Sequence, residues 1–557
     1  MTRRRLRSRF PLAAAVLAAA VASLQAQGPV SFDRIRQADD EPHNWLTYSG
    51  NLAGQRHTRL TQITPGNVGN LELQWVLQTR APAEANEKFE ATPLVVDGVM
   101  YTVFPPNHAA AIDAATGRMF WLYSARISPL ARVCCGRVNR GLAILGDTLF
   151  MGTIDGHLIA LDAKSGKPIW DKTVVDPALG YSFTLAPLVV EDKIIVGPSG
   201  GEYGIRGFIA AFDAATGNEV WRFNTIPAPG EPGHDTWPAG SDAWEHGGGP
   251  AWVTGSYDPE LDLTYWGTGN PGPDWNGDSR PGDNLYTDSL LALDADTGAL
   301  KWHFQFTPHD EFDYDATQVP VLVDMPWQGR ARKLVLTANR NGFWYVLDRE
   351  TGEFLQGKPF AKVTWAAGLD EKGRPRRVLN PTPDGTLVYP NNQGATNWYS
   401  PSYSPSTGLF YIPSWMDTFS TYFKAEVEYK EGSQFVGRFP TMAFPALRTP
   451  VGAMNQRPPE DGYGAIQAFD PATGERRWEF KMVDVTDSGV LSTATDLVFA
   501  GGREGYFFAL DARTGEQLWR ASVGGQVSAG PMSYAVGGRQ HVAIAAGGTL
   551  FVYALRQ

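Results

Sequence analysis

Apolar and polar positions alternate through LFMGTIDGHLIALD (149–162), break at a glycine and resume, the period-two signature of two short strands joined by a tight turn. The same unit recurs along most of the chain. Its most regular part is A-x-D-x-x-(T/S)-G followed four residues later by Trp, ending at Trp121, Trp170, Trp221, Trp302, Trp478 and Trp519. ALDAKSGKPIW, AFDAATGNEVW and ALDARTGEQLW are its clearest copies; VLDRETGEFLQ near 350 is a seventh without its Trp, and SPSTGLFY near 407 a degenerate eighth. Glycine accepts positive φ in such a turn and the Asp and Thr side chains satisfy its amides, while the Trp fills the space between neighbouring sheets.

Successive Trp positions lie 49, 51 and 81 residues apart from 121 to 302, and 41 apart from 478 to 519. A period near 40–50 with about four strands per unit is that of a β-propeller. TPGNVGNLELQW, ending at Trp75, reads as a closing strand. The expected fold is therefore all-β, an eight-bladed β-propeller with tryptophan-docking repeats, forming a single domain over 27–557. Where the period stretches, near 222–290 and 416–463, long loops are inserted, and loops of that length usually serve function.

Residues 1–26 carry five arginines and no acid before the apolar LAAAVLAAAVA and small residues suited to cleavage, the pattern of a signal peptide. Ala20-Val21-Ala22 offers the best cleavage site. No other run reaches about 18 apolar residues, so no membrane span is expected. The formal charge of −11 becomes −16 without those five arginines, which makes nucleic acid and anionic membrane poor partners and a basic protein a good one. Cys134 and Cys135 are adjacent and are the only two cysteines. Two separately buried thiols would suit a reducing compartment; in an oxidising one a bridge between the neighbours is the expectation, although its ring staples no loop and adds little stability.

With these residues in view, the mature chain resembles the pyrroloquinoline-quinone (PQQ) alcohol dehydrogenases, the methanol and ethanol dehydrogenase family. The resemblance implies a quinone on the propeller axis beside a metal ion, with an adjacent-cysteine disulfide on one face and a tryptophan on the other. Carried over residue by residue, it implies cofactor contacts at Glu90 in EATPLVVDGVMY, Cys134 and Cys135, Arg140, Thr184 in FTLAP, Ser199, Gly200 and Gly201 in GPSGGEYGIRG, Trp252 in HGGGPAW, and Asn397 with Trp398 in GATNWYSPSYSP. Its metal ligands fall on Glu202, Asn270 in GTGNPGPDW and Asp313 in TPHDEFDYDA, all hard oxygen donors of the kind a calcium-like ion takes. Asp313 has a second implied role as the base that takes the alcohol proton, and Arg340 in TANRNGFWYVLD would polarise the quinone carbonyl. Asp315, two after the base, matches the lanthanide-dependent relatives, where the calcium enzyme has a small uncharged residue. It is the fourth expected ligand, and it makes the ion a lanthanide in preference to calcium.

Three departures qualify the resemblance. Gly136 follows the cysteine pair where the family often has Asp, Pro250 replaces a cofactor-binding Thr and so loses both hydroxyl and amide donors, and Asp487 stands where methanol dehydrogenase has a cavity tryptophan. Methanol is accordingly a doubtful substrate. No C-x-x-C-H occurs, so electrons are expected to leave to a separate soluble cytochrome c. The reading is an exported, periplasmic quinoprotein oxidising a small alcohol, as monomer or homodimer. Its rivals are a non-catalytic propeller scaffold of the outer-membrane assembly type and a quinoprotein acting on a sugar or polymer alcohol. Fold alone does not separate them.

Overall fold

Each Asp-x-x-Thr-Gly segment closes the hairpin between the third and fourth strands of a four-stranded antiparallel sheet. In Asp162–Gly166, Asp162 Oδ1 accepts from the Ser165 amide at 2.8 Å and the Gly166 N–H returns to the Asp162 carbonyl at 2.8 Å, with Gly166 at φ +68°. The computed structural model describes residues 28–79, 88–442 and 462–557. The sequence-predicted signal peptide at 1–26 lies outside them, as does part of the second long loop.

Eight such sheets form the ring. Blade 1 is Leu94–Val96, Val99–Phe104, His108–Asp113 and Met119–Ser124, and blades 2 to 5 repeat the meander up to Phe354–Pro359. Blade 6 comprises Ser402–Ser404, Leu409–Met416, Tyr463–Phe469 and Arg476–Lys481; blade 7 runs from Leu491–Thr493 to Gln517–Ser522. Blade 8 has three strands from the end of the chain, Met532–Val536, Arg539–Ala546 and Thr549–Leu555, and receives its outermost strand from Leu71–Gln78. The closing strand read around Trp75 is this one. The inner strands are buried on both faces because each is covered by the next blade, whereas outermost strands such as Pro168–Thr173 alternate between exposed and half-buried positions.

The tryptophans lock the blades in sequence. Trp75 of blade 8 donates its indole N–H to the Ala114 carbonyl of blade 1 at 3.3 Å, Trp121 donates to Ala163 at 3.0 Å, Trp170 to Ala214 at 3.1 Å, Trp221 to Ala295 at 3.0 Å, Trp302 to Arg349 at 3.1 Å and Trp478 to Ala512 at 3.0 Å. Each indole lies flat on the glycine of the next turn, where a Cβ would meet it at 2.4–2.7 Å for Trp221 on Gly298 and Trp302 on Gly352. In blade 5, Gln356 occupies the missing tryptophan's place and donates to the Pro471 carbonyl at 3.1 Å, beside Gly474. The interblade bond is kept with an amide in place of the ring.

SPSTGLFY requires a correction. Ser404–Gly408 joins the first and second strands of blade 6, not the third and fourth. Its Gly408 N–H bonds the Ser404 carbonyl at 2.8 Å, as in the true repeats, because this turn chemistry serves any tight hairpin. The stretch 222–290 likewise holds two strands of blade 4, Ser256–Asp258 and Leu263–Gly267, between its loops.

Candidate active site

In a meander of four antiparallel strands, the approach to strand one and the exit from strand two lie at the same edge of the sheet. The sequence-predicted residues occupy these positions. Glu90, Arg140, Thr184, Trp252, Asp313, Asp315 and Asn397 precede first strands; Ser199, Gly200, Gly201, Glu202, Asn270 and Arg340 follow second strands. They therefore converge from blades 1 to 6 on one face of the ring. All of them except Gly201 line a single cavity of about 870 Å³ of empty space, open to solvent, together with Cys134, Cys135 and Trp398. Gly201 packs against its wall, with its would-be Cβ 3.2 Å from Pro250 and 3.4 Å from Asn270 Oδ1. Gly200 stands at φ +121°, and a Cβ there would lie 2.0 Å from the Gly180 carbonyl, so no other residue fits.

Arg140 anchors one end. It pairs with Glu90 at 2.9 Å, donates to Thr184 Oγ1 at 2.9 Å, and its guanidinium sits 4.8 Å from the Trp252 ring and 4.6 Å from Trp398. Glu90 is buried, and burial raises its pKa against the opposing pull of Arg140 and Lys88. Ser182 and Ser199 hydroxyls lie 2.7 Å apart on the same wall. Asn397 lines the cavity but is tied into its own loop, donating to the Gln393 carbonyl at 2.9 Å and accepting from the Trp398 amide at 2.8 Å.

Arg340 anchors the other end. It meets Asp313 at 3.1 Å and bonds Asp315, and its Nη2 donates to the Asn392 carbonyl at 2.5 Å. Gly394, at φ +79°, makes room for it: a Cβ would lie 2.5 Å from Arg340 Cβ. Asp315 also accepts from the Asn270 amide at 2.8 Å and from Trp252 Nε1 at 3.2 Å, so Trp252 spans from Arg140 to the acidic end. Cys134 and Cys135 are bridged to each other, and Glu202 Oε1 lies 3.0 Å and 3.6 Å from their sulfurs. Bridged sulfur is not a thiolate ligand, so this contact is not itself a metal site.

Electrostatically this end is short of positive charge. Burial, reinforced by Asp315, raises Glu202 to about 7. Burial also lifts Asp313 well above the usual carboxylate range, with Arg340 opposing and Asp315 and Glu202 adding to the rise. Two further buried carboxylates missed by sequence reasoning, Asp274 and Asp288, are raised by burial and by these same acids, and Asp310 is raised to about 6 by burial. Neither oxygen of Asp288 has a hydrogen-bond partner among the described residues. Against these six acids stand the buried Arg280 and Arg340, and Arg377, which is paired to Glu311 at 2.5 Å. The insert between the second and third strands of blade 6 covers this end, where the Phe435 amide bonds the Glu202 carbonyl at 2.6 Å and Tyr429 stacks on His246 of the other insert.

The cavity suits a flat, acidic ring bound with a cation. Arg140 Nε and Arg340 Nε are buried donors with no acceptor among the described residues, an indole and a disulfide supply broad walls, and the acid-rich end offers hard oxygens in excess of protein cations. An eight-bladed ring carrying such a cavity on one face is built as a cofactor-binding propeller.

Comparison with known proteins shows the family. The family model for the glucose/ethanol/alcohol dehydrogenase β-propeller domain matches residues 45–363, and that of the outer membrane protein assembly factor BamB matches 462–555. The quinohemoprotein alcohol dehydrogenase ADH IIB of Pseudomonas putida is 41% identical over 92% of this chain and 74% of its own, and the quinoprotein alcohol dehydrogenase PedH of Pseudomonas putida is 37% identical over 96% and 91%. A europium-containing methanol dehydrogenase superposes with a TM-score of 0.86 at 33% identity, covering 94% of this chain and 100% of that one. The chain belongs to the PQQ-dependent alcohol dehydrogenases, enzymes that use PQQ and a metal ion. The BamB match covers blades with the Trp478 and Trp519 repeats and none of the cavity-lining positions.

Proposed function

We propose that this enzyme works in the periplasm, oxidises a small alcohol to its aldehyde and delivers electrons to a separate, basic cytochrome c. The reading rests on one observation: the residues assigned from sequence, all but Gly201, line one cavity in which Arg340 bridges Asp313 and Asp315. PQQ, when bound, supplies the two-electron oxidant that takes hydride from the alcohol carbon. Glu90, Arg140, Thr184, Ser199, Gly200 and Gly201 would hold its carboxylates and carbonyls, with Trp252, the Cys134–Cys135 disulfide, Asn397 and Trp398 as the surrounding walls.

Asp313 would accept the hydroxyl proton as the alcohol loses hydride, oriented by Arg340 at 3.1 Å, whose guanidinium would also stabilise charge developing on the hydride acceptor. Burial and the neighbouring acids favour protonation of Asp313, whereas a cation held by Glu202, Asn270, Asp313 and Asp315 favours its ionised form. If they reach one ion, Glu202, Asp313 and Asp315 on the cavity wall supply three negative charges, which suit a trivalent ion better than calcium, and the proposed metal is a lanthanide. The signal-like leader supports export, and a mature charge near −16 supports a basic electron carrier. Both cysteines are used in the bridge, leaving none here for covalent haem.

The test is a screen of alcohols and sugars with an artificial acceptor on protein reconstituted with PQQ and with La³⁺ or Ca²⁺. Small primary alcohols with La³⁺ should give the highest rate, and Asp315→Ala should lose the La³⁺-supported rate first. Equal rates with both ions, unchanged by that substitution, would return the site to calcium.

A further inference from the structure

One cation on the cavity wall is used neither by the sequence motifs nor by the roles above. Lys88 lines the cavity two residues before Glu90, and its side chain keeps 35% of its surface free. Its partner is Asp487, which is 2% exposed and already neutralised: Arg503 Nη2 reaches both Asp487 oxygens at 2.9 Å, Arg503 Nε adds a third bond at 3.1 Å, and Gln526 donates as well. Lys88 Nζ joins them at 3.2 Å. It is thus a second cation on an acid that Arg503 satisfies, and an ammonium has three donors, of which one goes to Asp487. Arg140, the neighbouring cavity cation, is matched to Glu90 at 2.9 Å. Among these five groups three cations face two carboxylates, and the surplus is presented to the cavity by Lys88.

We infer that Lys88 is a cofactor anchor that binds a carboxylate of PQQ, with Asp487 as the positioning residue that holds its ammonium at the cavity wall. The inference rests on the reading that this cavity binds PQQ. A flexible four-carbon stem places a charge poorly on its own, and a buried acid locked by a bidentate guanidinium gives it a fixed point. Asp487 thereby has a use of its own at the position where methanol dehydrogenase carries a tryptophan: it replaces apolar wall with a tethered positive charge.

The experiment uses the full chain freed of PQQ, with La³⁺ held constant, titrated with PQQ and separately with its trimethyl ester, and read by quenching of tryptophan fluorescence. Lys88→Gln should weaken PQQ binding roughly tenfold or more, the scale of a charge-assisted bond, and leave the affinity for the uncharged ester as in the parent. Lys88→Arg should recover most of the loss, and the thermal midpoint of the cofactor-free variants should match the parent. Equal PQQ affinity in parent and Lys88→Gln would overturn the inference. So would an equal loss for PQQ and ester, because that pattern belongs to a deformed cavity rather than a missing charge. A parent that binds neither compound would overturn the cofactor reading, and this one with it.

Discussion

Gly298→Ala tests how tightly the tryptophans lock the ring. Gly298 has φ +71°, and a Cβ on it would lie 2.4 Å from Trp221 Cε3 and 2.7 Å from Cδ2. Trp221 is buried and its indole N–H is fixed to the Ala295 carbonyl, so the ring cannot retreat without loosening that bond. Gly408 provides the matched control, with φ +70° and nothing within 4 Å of its would-be Cβ. The backbone cost of an alanine in the left-handed region is about 1–2 kcal/mol at either site. At Gly298 the overpacking adds about 1–3 kcal/mol and the weakened hydrogen bond about 1 kcal/mol. The totals are about 1–2 kcal/mol for Gly408→Ala and about 3–6 kcal/mol for Gly298→Ala. A domain of this size has an unfolding entropy of about 1.1 kcal/mol per degree, so the expected losses in melting temperature are about 1–2 °C and about 3–5 °C. Calorimetric scans of both variants at one scan rate measure the difference. Identical shifts would refute the argument, since only backbone strain would then be acting.

Three other outcomes are expected. Asp313→Asn should lower kcat by about 10²–10⁴, the usual worth of a positioned base, in protein that still melts cooperatively, and a fully active variant would remove Asp313 from that role. A tryptic peptide spanning Cys134 and Cys135 should gain two hydrogens on reduction, and Cys135→Ala should damage cofactor seating while moving the melting temperature by less than about 1 °C, because the ring closes no loop; alkylation of both thiols without reductant contradicts it. His57 and His541 are each lowered to about 4 by burial, from an ordinary value of 6.5. A histidine kept neutral in the fold contributes stability in full above pH 6.5, and loses it as pH falls from there toward 4. The melting temperature of His57→Gln should therefore fall less between pH 7 and 4.5 than that of the parent, and parallel curves would deny His57 a share in acid unfolding.

Ring architecture was legible in the sequence because its signals are local. Asp-x-x-Thr-Gly and the tryptophan four residues on lie within one hairpin and dictate it, whatever the rest of the chain does. Local chemistry also explains the one misplacement: Ser404–Gly408 makes the same turn between a different pair of strands, and only the strand pairing tells them apart. Gln356 in a tryptophan's slot was illegible because its acceptor, Pro471, lies more than a hundred residues away. The candidate site was legible through its motif order. Its charge surplus and deficit were not: Lys88 meets Asp487 across 399 residues, and Asp288 looks like an ordinary turn acid until burial removes its solvent.

The eighth blade takes its outer strand from Leu71–Gln78, which pairs with Thr549–Leu555. Seven blades can condense one upon the next as the chain lengthens, but the hoop cannot shut until two segments nearly five hundred residues apart find each other. Loop closure over such a span is entropically the most demanding contact in the molecule. The cavity is assembled from approach and exit loops spread round that hoop, so its walls reach their final spacing only when the hoop is shut. A bound quinone and ion, by favouring the closed ring over the open chain, would then act as the clasp that keeps it shut.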